Sequence, residues 1–225
     1  MNLRVLSLAS ALSLLPAAVA SAQTPTPPPS SAPASQGKPV IEVGALAEGA
    51  TADPVLSFFY DKSQSVNPAT VGGYIMKHNP NGARLMLDVT YTTMSPADGE
   101  WLGKGKDASA QEWTEFRNFK LYTADLVVGH EWGNPDAVFG FFAGGGIGVA
   151  YRSGTITSWD DPTGIGSGSK SHSAPKDKLK GVPPVIPTVN FRLGPTVNFG
   201  NVASLMIDGG LDNGLFVGAQ FGFRL

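Results

Sequence analysis

The 225-residue sequence has no cysteine, only three histidines and few charged residues. Without cysteine the chain can form no disulfide, no thiolate metal site, no cysteine nucleophile and no lipid-modified N-terminal cysteine. Charged residues make up 15 % of the chain, against roughly 25 % in an ordinary soluble domain. The net charge of −2 argues against a nucleic-acid partner held through its phosphates. Glycine, by contrast, is abundant, with 28 residues.

The first 22 residues have the pattern of a secretory signal peptide for the Sec pathway. Arg4 supplies the positive charge, residues 6–19 are apolar, and Ala20-Ser21-Ala22 forms an A-x-A cleavage site. The apolar stretch is shorter than the ~20 residues that a spanning helix needs. Residues 23–37 follow as a proline-rich periplasmic linker, because five prolines among serine, threonine and alanine favour extended chain over a packed core.

From residue 38 onward apolar and polar residues alternate, which is the periodicity of β-strands. The glycine density in 137–150 disfavours a helix there, and a chain without a spanning helix can still cross a membrane as a closed barrel. The alternation predicts eight strands, at 40–47, 69–78, 83–93, 118–130, 137–152, 185–199, 203–210 and 215–225.

The connections between these strands alternate in length. Tight-turn signals follow the second, fourth and sixth strands, at Asn79-Pro80-Asn81-Gly82, Gly133-Asn134-Pro135-Asp136 and Gly200-Asn201. The connections after the first, third and fifth strands are long, at 48–68, 94–117 and 153–184. Short periplasmic turns opposite long extracellular loops are typical of outer-membrane barrels, although the last connection, 211–214, is short on the long-loop side.

The alternation alone leaves open which face points outward. The polar face is rich in glycine, which suits the narrow lumen of an eight-stranded barrel. Tyr122 and Trp132 on the apolar face are ten residues apart, which at ~3.3 Å per residue and ~40° tilt spans roughly 25 Å, the height of an apolar band in a membrane. These features favour the apolar face outside. The alternative is a soluble, periplasmic, lipocalin-like binder with the aromatic face inward around an apolar ligand.

The last strand alternates apolar residues at Val217, Ala219, Phe221, Phe223 and Leu225. In this it resembles the terminal strand of bacterial outer-membrane barrels, although that family usually ends in phenylalanine. The resemblance covers about 39–225 and is nearest to the small OmpA and OmpX type. It implies an all-β, eight-stranded antiparallel up-and-down transmembrane barrel over 38–225. It also implies that the protein is a monomer, that the barrel-assembly machinery inserts it, and that it contacts outer-membrane lipid and lipopolysaccharide.

The polar face of the strands carries nearly balanced charges. They are Glu42, Arg84, Asp88, Asp125, Glu131, Arg152, Arg192, Asp208 and Arg224. Because eight strands leave no room for an aqueous channel and unpaired buried charge is costly, these charges and the glycines are expected to fill the lumen as a structural network rather than form a solute pathway. Arg84–Asp88 and Asp125–Arg152 are two conceivable pairs.

The histidines, His78, His130 and His172, show no spacing typical of an acyl-transfer or metal site. No catalytic residue, metal or cofactor is therefore predicted, and a lipid A-modifying enzyme is only the second alternative.

The long loops are better candidates, because loops on a rigid barrel usually carry binding. The loop at 153–184 holds Lys170, Lys176, Lys178 and Lys180. Contact with lipopolysaccharide phosphates and a solvated, glycine-rich loop are equally compatible with this composition. In 48–68, residues 55–60 are apolar and suit a short helix or strand at the barrel mouth. The sequence thus predicts an outer-membrane barrel with a structural or surface-interaction role carried by its loops.

Overall fold

A computed structural model describes residues 38–133, 138–160 and 174–225. The predicted signal peptide and linker, together with Lys170 and His172, lie outside these residues. The described part contains eleven strands, a one-turn helix α1 (Asp53–Leu56) and a 3₁₀ turn (Ala108–Ala110). In chain order the strands are β1 (Val40–Thr51), β2 (Tyr60–Lys62), β3 (Ala69–His78), β4 (Ala83–Thr93), β5 (Gly99–Gly103), β6 (Glu112–Trp132), β7 (Phe139–Asp160), β8 (Lys176–Asp177), β9 (Val185–Phe199), β10 (Ala203–Leu211) and β11 (Leu215–Arg224). None of the helices in the described ranges is long and apolar enough to cross a membrane.

Eight of these strands close into an antiparallel barrel in the order β1-β3-β4-β6-β7-β9-β10-β11. The ring closes where β1 pairs with β11, with Glu42 opposite Arg224 and Thr51 opposite Leu215. Closure gives every strand two neighbours, so the ladder satisfies the backbone polar groups without exposing a sheet edge to lipid. All eight predicted strands are present, and the predicted fold class is confirmed.

Burial alternates along the barrel strands, and the apolar face points outward. Val89 is 60 % exposed and Val217 69 %, whereas the inward-facing Asp88 and Gln220 on the same two strands are each 1 % exposed. Such an exterior is what a lipid environment requires and what water disfavours. The lipocalin-like alternative needs the opposite orientation, with the aromatic face around a central ligand, and the strands do not adopt it.

A belt of tyrosines marks the long-loop end of the apolar exterior. Tyr91, Tyr122 and Tyr151 lie directly opposite one another on β4, β6 and β7. Their ring centroids are 5.3 Å apart for the first pair and 6.4 Å apart for the second. Tyrosine is enriched at membrane–water interfaces, so this row places the outer boundary of the lipid band.

Strands β6 and β7 are 21 and 22 residues long, about twice the length of a strand that crosses a bilayer. Both continue well past the tyrosine belt. β5 adds to the outer part of β6, β2 adds to β5, and β8 adds to β7. We call this five-stranded extension, β2-β5-β6-β7-β8, the loop sheet. It is built from all three long connections. The segment 55–60, expected to form a short helix or strand at the mouth, begins in α1 and ends at the first residue of β2, with a turn at 57–59 between them.

The lumen contains an apolar layer as well as charges and glycines. Its residues are Leu46, Tyr74, Met76, Met86, Val127, Phe142 and Met206. On β4 the order along the inward face is Arg84, Met86, Asp88, and on β10 it is Ser204, Met206, Asp208. The apolar layer therefore lies between two polar layers, one toward the short turns and one toward the loops. The expectation that charge and glycine alone fill the lumen is too simple.

Inward-facing glycines let neighbouring strands and side chains approach closely. A Cβ added to Gly194 would lie 2.7 Å from the backbone Cα of Asp208, whereas a Cβ on the outward-facing Gly73 would meet nothing nearer than a carbonyl oxygen at 3.5 Å. The first contact involves backbone that cannot move aside, and the second is ordinary van der Waals contact.

We predict that Gly194→Ala lowers the free energy of unfolding by about 1–3 kcal/mol, the usual cost of overpacking. Gly73→Ala, the matched outward substitution, should leave it nearly unchanged. Urea titration of the protein in detergent, followed by the heat-modifiable shift on gels, measures both. Equal effects at the two positions would contradict the packing described above.

Candidate functional site

The charged residues of the lumen form two separate clusters, one on each side of the apolar layer. In the cluster toward the short turns, Glu42 accepts hydrogen bonds from Tyr74 Oη (2.8 Å) and Ser204 Oγ (2.7 Å). Its carboxylate also lies 3.2 Å from His78 Nε2 and 3.4 Å from Arg224 Nε. One carboxylate on β1 thus joins side chains of β3, β10 and β11, which is where the barrel closes.

Arg84 lies at the same end of the lumen, but its ion-pair partner is not the expected one. Its guanidinium pairs with Glu131, which also accepts a hydrogen bond from Thr196 Oγ1 at 2.6 Å. The predicted Arg84–Asp88 pair is wrong, because residues four apart on one strand are separated by about 13 Å. Glu131 reaches Arg84 from the neighbouring strand.

The cluster toward the loops is organised around Arg192, which is 1 % exposed. Its guanidinium lies 3.5 Å from Glu48, 3.6 Å from Asp88 and 3.4 Å from Asp208. Gln220 donates a 2.8 Å hydrogen bond to Asp208. Glu48 was not among the expected lumen residues because the pattern ended the first strand at residue 47, whereas β1 runs to Thr51.

Asp125 and Arg152 do not pair, contrary to the second conceivable pair. Asp125 accepts a 2.6 Å hydrogen bond from Thr188 Oγ1. Arg152 lies opposite Leu121, four residues before Asp125 on β6. It therefore does not take part in the charge clusters of the lumen. Its guanidinium donates to three carbonyl oxygens of the chain that returns to β9, those of Leu179 (3.2 Å), Val182 (2.5 Å) and Pro183 (3.1 Å). Arg152 therefore fastens this returning segment to the mouth of the barrel.

The described residues form no Ser–His–acid relay. Ser204 and His78 both contact Glu42, so the carboxylate lies between them and the imidazole does not receive the serine proton. His130 packs its ring against Trp132, 5.0 Å between centroids. Within the described ranges, no group of three or more histidine, aspartate or glutamate side chains is arranged to hold a metal ion. A catalytic reading of the histidines gains no support from this geometry.

Acidic neighbours neutralise much of the basic loop. Lys178 pairs with Glu112 at 2.6 Å, and Lys176 pairs with Asp160. The hydrogen bond to Asp160 raises the pKa of Lys176, so the lysine stays charged but is already matched. Lys180 is exposed. Of the three loop lysines that lie in the described residues, Lys176 and Lys178 are thus part of the loop sheet's own ion pairs.

Side chains on both faces of the loop sheet hold it together. Trp101 on β5 contacts Tyr60 on β2 and Phe116 on β6, with ring centroids 5.2 and 5.7 Å apart. Arg117 bonds Asp98 (2.9 Å) and Glu115 (2.9 Å). Lys62 pairs with Glu100. Cross-strand aromatic and ionic contacts of this kind stabilise a small sheet, so the described parts of the three long connections present one continuous surface.

Among solved structures, the chain is similar to Ail, the attachment invasion locus protein of Yersinia pestis, crystallised in complex with the heparin analogue sucrose octasulfate. The two share 12 % sequence identity over 83 % of this chain and 97 % of Ail, with a TM-score of 0.41. No family model matches the sequence, and no curated protein matches it. The barrel architecture therefore rests on the strand pairings and burial of this chain.

We predict that Arg192→Ala destabilises the barrel by about 3–5 kcal/mol, because three buried carboxylates lose their common counter-charge. Arg117→Ala, which removes an exposed guanidinium with two acidic partners, should have little effect. Urea midpoints of the two variants in the same detergent test this difference. Comparable decreases in stability for the two variants would show that the buried cluster stabilises the barrel no more than an exposed ion pair does.

A second prediction concerns the returning segment at the mouth. Arg152→Ala removes three charge-assisted hydrogen bonds, so local opening and cleavage of 174–184 by proteinase K should accelerate about tenfold or more. Lys106→Ala, at a distant turn of the loop sheet, should leave the rate unchanged. If the Arg152→Ala protein is cleaved no faster than the wild type, the guanidinium does not fasten the segment.

Proposed function

We propose that this protein is an outer-membrane barrel without a catalytic role, whose functional surface is the extracellular loop sheet. The observation that carries the proposal is the continuation of β6 and β7 beyond the tyrosine belt, where β2, β5 and β8 join them. Binding surfaces on barrels are usually carried by such projecting loops. An ordered sheet also loses less conformational entropy on binding than a free loop does.

A solute pathway is the weaker proposal for the same barrel. Phe142, Met86 and Val127 are each 1 % exposed and belong to the apolar layer across the lumen. Ionic clusters lie on both sides of that layer. Eight strands leave space only for side chains, and here those side chains pack against one another.

In this proposal the chain is exported by the signal peptide at 1–22, cleaved near Ala22, and the linker at 23–37 lies in the periplasm. The barrel-assembly machinery recognises the strand at 215–225, and the folded protein is a monomer. The apolar exterior contacts outer-membrane lipid. Lys120, whose Nζ lies 5.7 Å from the Tyr91 ring centroid at the outer boundary, supplies a cation for lipopolysaccharide phosphates at that depth.

Single cysteines test both the location and the orientation, because the chain has none of its own. Lys106→Cys is at an exposed turn of the loop sheet, and Asn201→Cys is at an exposed short turn. In intact cells a membrane-impermeant maleimide should label the first at once. It should label the second only after the outer membrane is permeabilised.

The cysteine-free parent is the control for background labelling. Recovery of both variants in the outer-membrane fraction, with heat-modifiable migration on unboiled gels, should accompany the labelling pattern. A protein that is soluble in the periplasm without detergent, or equal labelling of both positions in intact cells, contradicts the proposal.

A further inference from the structure

Two glycines open a notch in the lumen wall on the loop side of the apolar layer. Gly146 and Gly148 both face inward on β7. Asn190 Oδ1, from β9, lies 2.8 Å from where a Cβ on Gly146 would be, and Asp125 Oδ1, from β6, occupies the corresponding place at Gly148. The place of each absent side chain is therefore taken by oxygen atoms of the two neighbouring strands, together with Val127 Cγ2 at 2.9 Å from the Gly146 position. A side chain at either position would displace those oxygens.

Further oxygen-bearing side chains adjoin the notch on β4 and β6. Asp88 lies directly opposite Asp125, and Thr90 lies directly opposite Thr123. Cross-strand partners on one face have Cβ atoms about 5 Å apart. Asp88, Thr123, Asp125 and Asn190 are each at most 2 % exposed, and Thr90 is 6 % exposed. Five buried polar side chains from three strands thus face one region of the lumen.

Most of these polar atoms have no hydrogen-bond partner among the described residues. Both amide atoms of Asn190 are without one, as are the hydroxyls of Thr90 and Thr123 and both oxygens of Asp88. Buried polar atoms in native proteins are nearly always satisfied by protein, water or an ion. The amide and hydroxyls are neutral, so their need for a hydrogen-bond partner is independent of the acidic charge.

The charge of this half of the lumen points in the same direction. Glu48, Asp88 and Asp208 share the guanidinium of Arg192. Among the described residues, Asp125 has the Thr188 hydroxyl as its partner. Uncompensated carboxylates in a confined lumen attract a counter-ion or a proton. A cation in the notch would lie beside Asp125 and Asp88.

We infer that the notch binds one hard cation, with Ca²⁺ the best-suited probe. Carboxylate, hydroxyl and amide oxygens are the ligands that Ca²⁺ takes in flexible geometry, whereas Mg²⁺ demands a stricter octahedron. Nitrogen or sulfur ligands do not line the notch, so soft metals are disfavoured. Because the apolar layer closes the lumen toward the short turns, the ion enters from the loop side.

The test uses the full chain, folded in detergent and freed of metal with a chelator. Calorimetric titration with CaCl₂ should show one site per protein, with Mg²⁺ at least tenfold weaker. Thermal unfolding should shift upward with added Ca²⁺, because only the folded barrel has the site. Choline chloride at equal ionic strength is the control for general salt effects.

Asp125→Asn and Asn190→Ala should each weaken Ca²⁺ binding at least tenfold, and Gly148→Ala should abolish it by filling the notch. Glu42→Gln is the matched control, because it removes a buried carboxylate on the other side of the apolar layer, and should change the affinity less than threefold. Heat-modifiable migration shows which variants are folded. The wild-type titration stands even if a variant fails to fold.

Three results would overturn the inference. One is a folded wild type with no one-to-one Ca²⁺ site at millimolar concentration. Another is binding that Asp125→Asn and Asn190→Ala leave unchanged, which would mean an adventitious surface ion only. The third is a stability that depends on pH but not on Ca²⁺, which would mean that water and protons alone satisfy the notch.

Discussion

Closure of the sheet is the constraint on which the rest of this structure depends. Once β1 pairs with β11, no barrel strand has a free edge along the membrane-spanning part, and the circumference of the lumen is set by eight strands. Every inward side chain must then fit a narrow cylinder. This explains why glycine is so frequent on the inward face of β7 and why Gly194 tolerates no Cβ beside the backbone of Asp208. The apolar residues that remain have only the outside to face.

Narrowness also dictates how the buried charges are arranged. A narrow lumen filled with side chains has to match each charge locally, so the ionic groups gather where several strands converge. Glu42 collects hydroxyl, imidazole and guanidinium groups at the seam, and Arg192 collects three carboxylates at the other end. The layer that contains Met86 and Phe142 separates the two. The first cluster is nearly balanced and the second is acidic, so only the second has a reason to recruit an ion.

Much of the barrel was predictable because alternation is a local property of the chain. A strand with one face in lipid and the other in the lumen shows period two whatever its partners are, which is why all eight strands were found. The pairing of charges was not predictable, because it depends on the stagger between strands: Arg84 meets Glu131 across strands and not Asp88 on its own strand. The short strands β5 and β8 were missed because strands of two to five residues carry no readable period, and their conformation depends on pairing with β6 and β7.

The extension of β6 and β7 into the loop sheet could not be predicted from the alternation, because the register between the two strands changes at the barrel mouth. Between Arg117 and Lys120 the pairing of β6 with β7 shifts, and the bulge holds Asn118 and Gly154 at positive φ. A bulge of this kind adds one residue to β6 relative to β7, so the β6 side chains beyond it point to the opposite face from the one that strict alternation predicts. Below it the odd-numbered residues of β6 face the lumen, and above it Phe116 packs inward against Trp101. The inward face of the extension therefore continues over the barrel mouth, even though the alternation along β6 is broken. The same bulge that ends the membrane pattern makes a sheet that strands from all three long connections join.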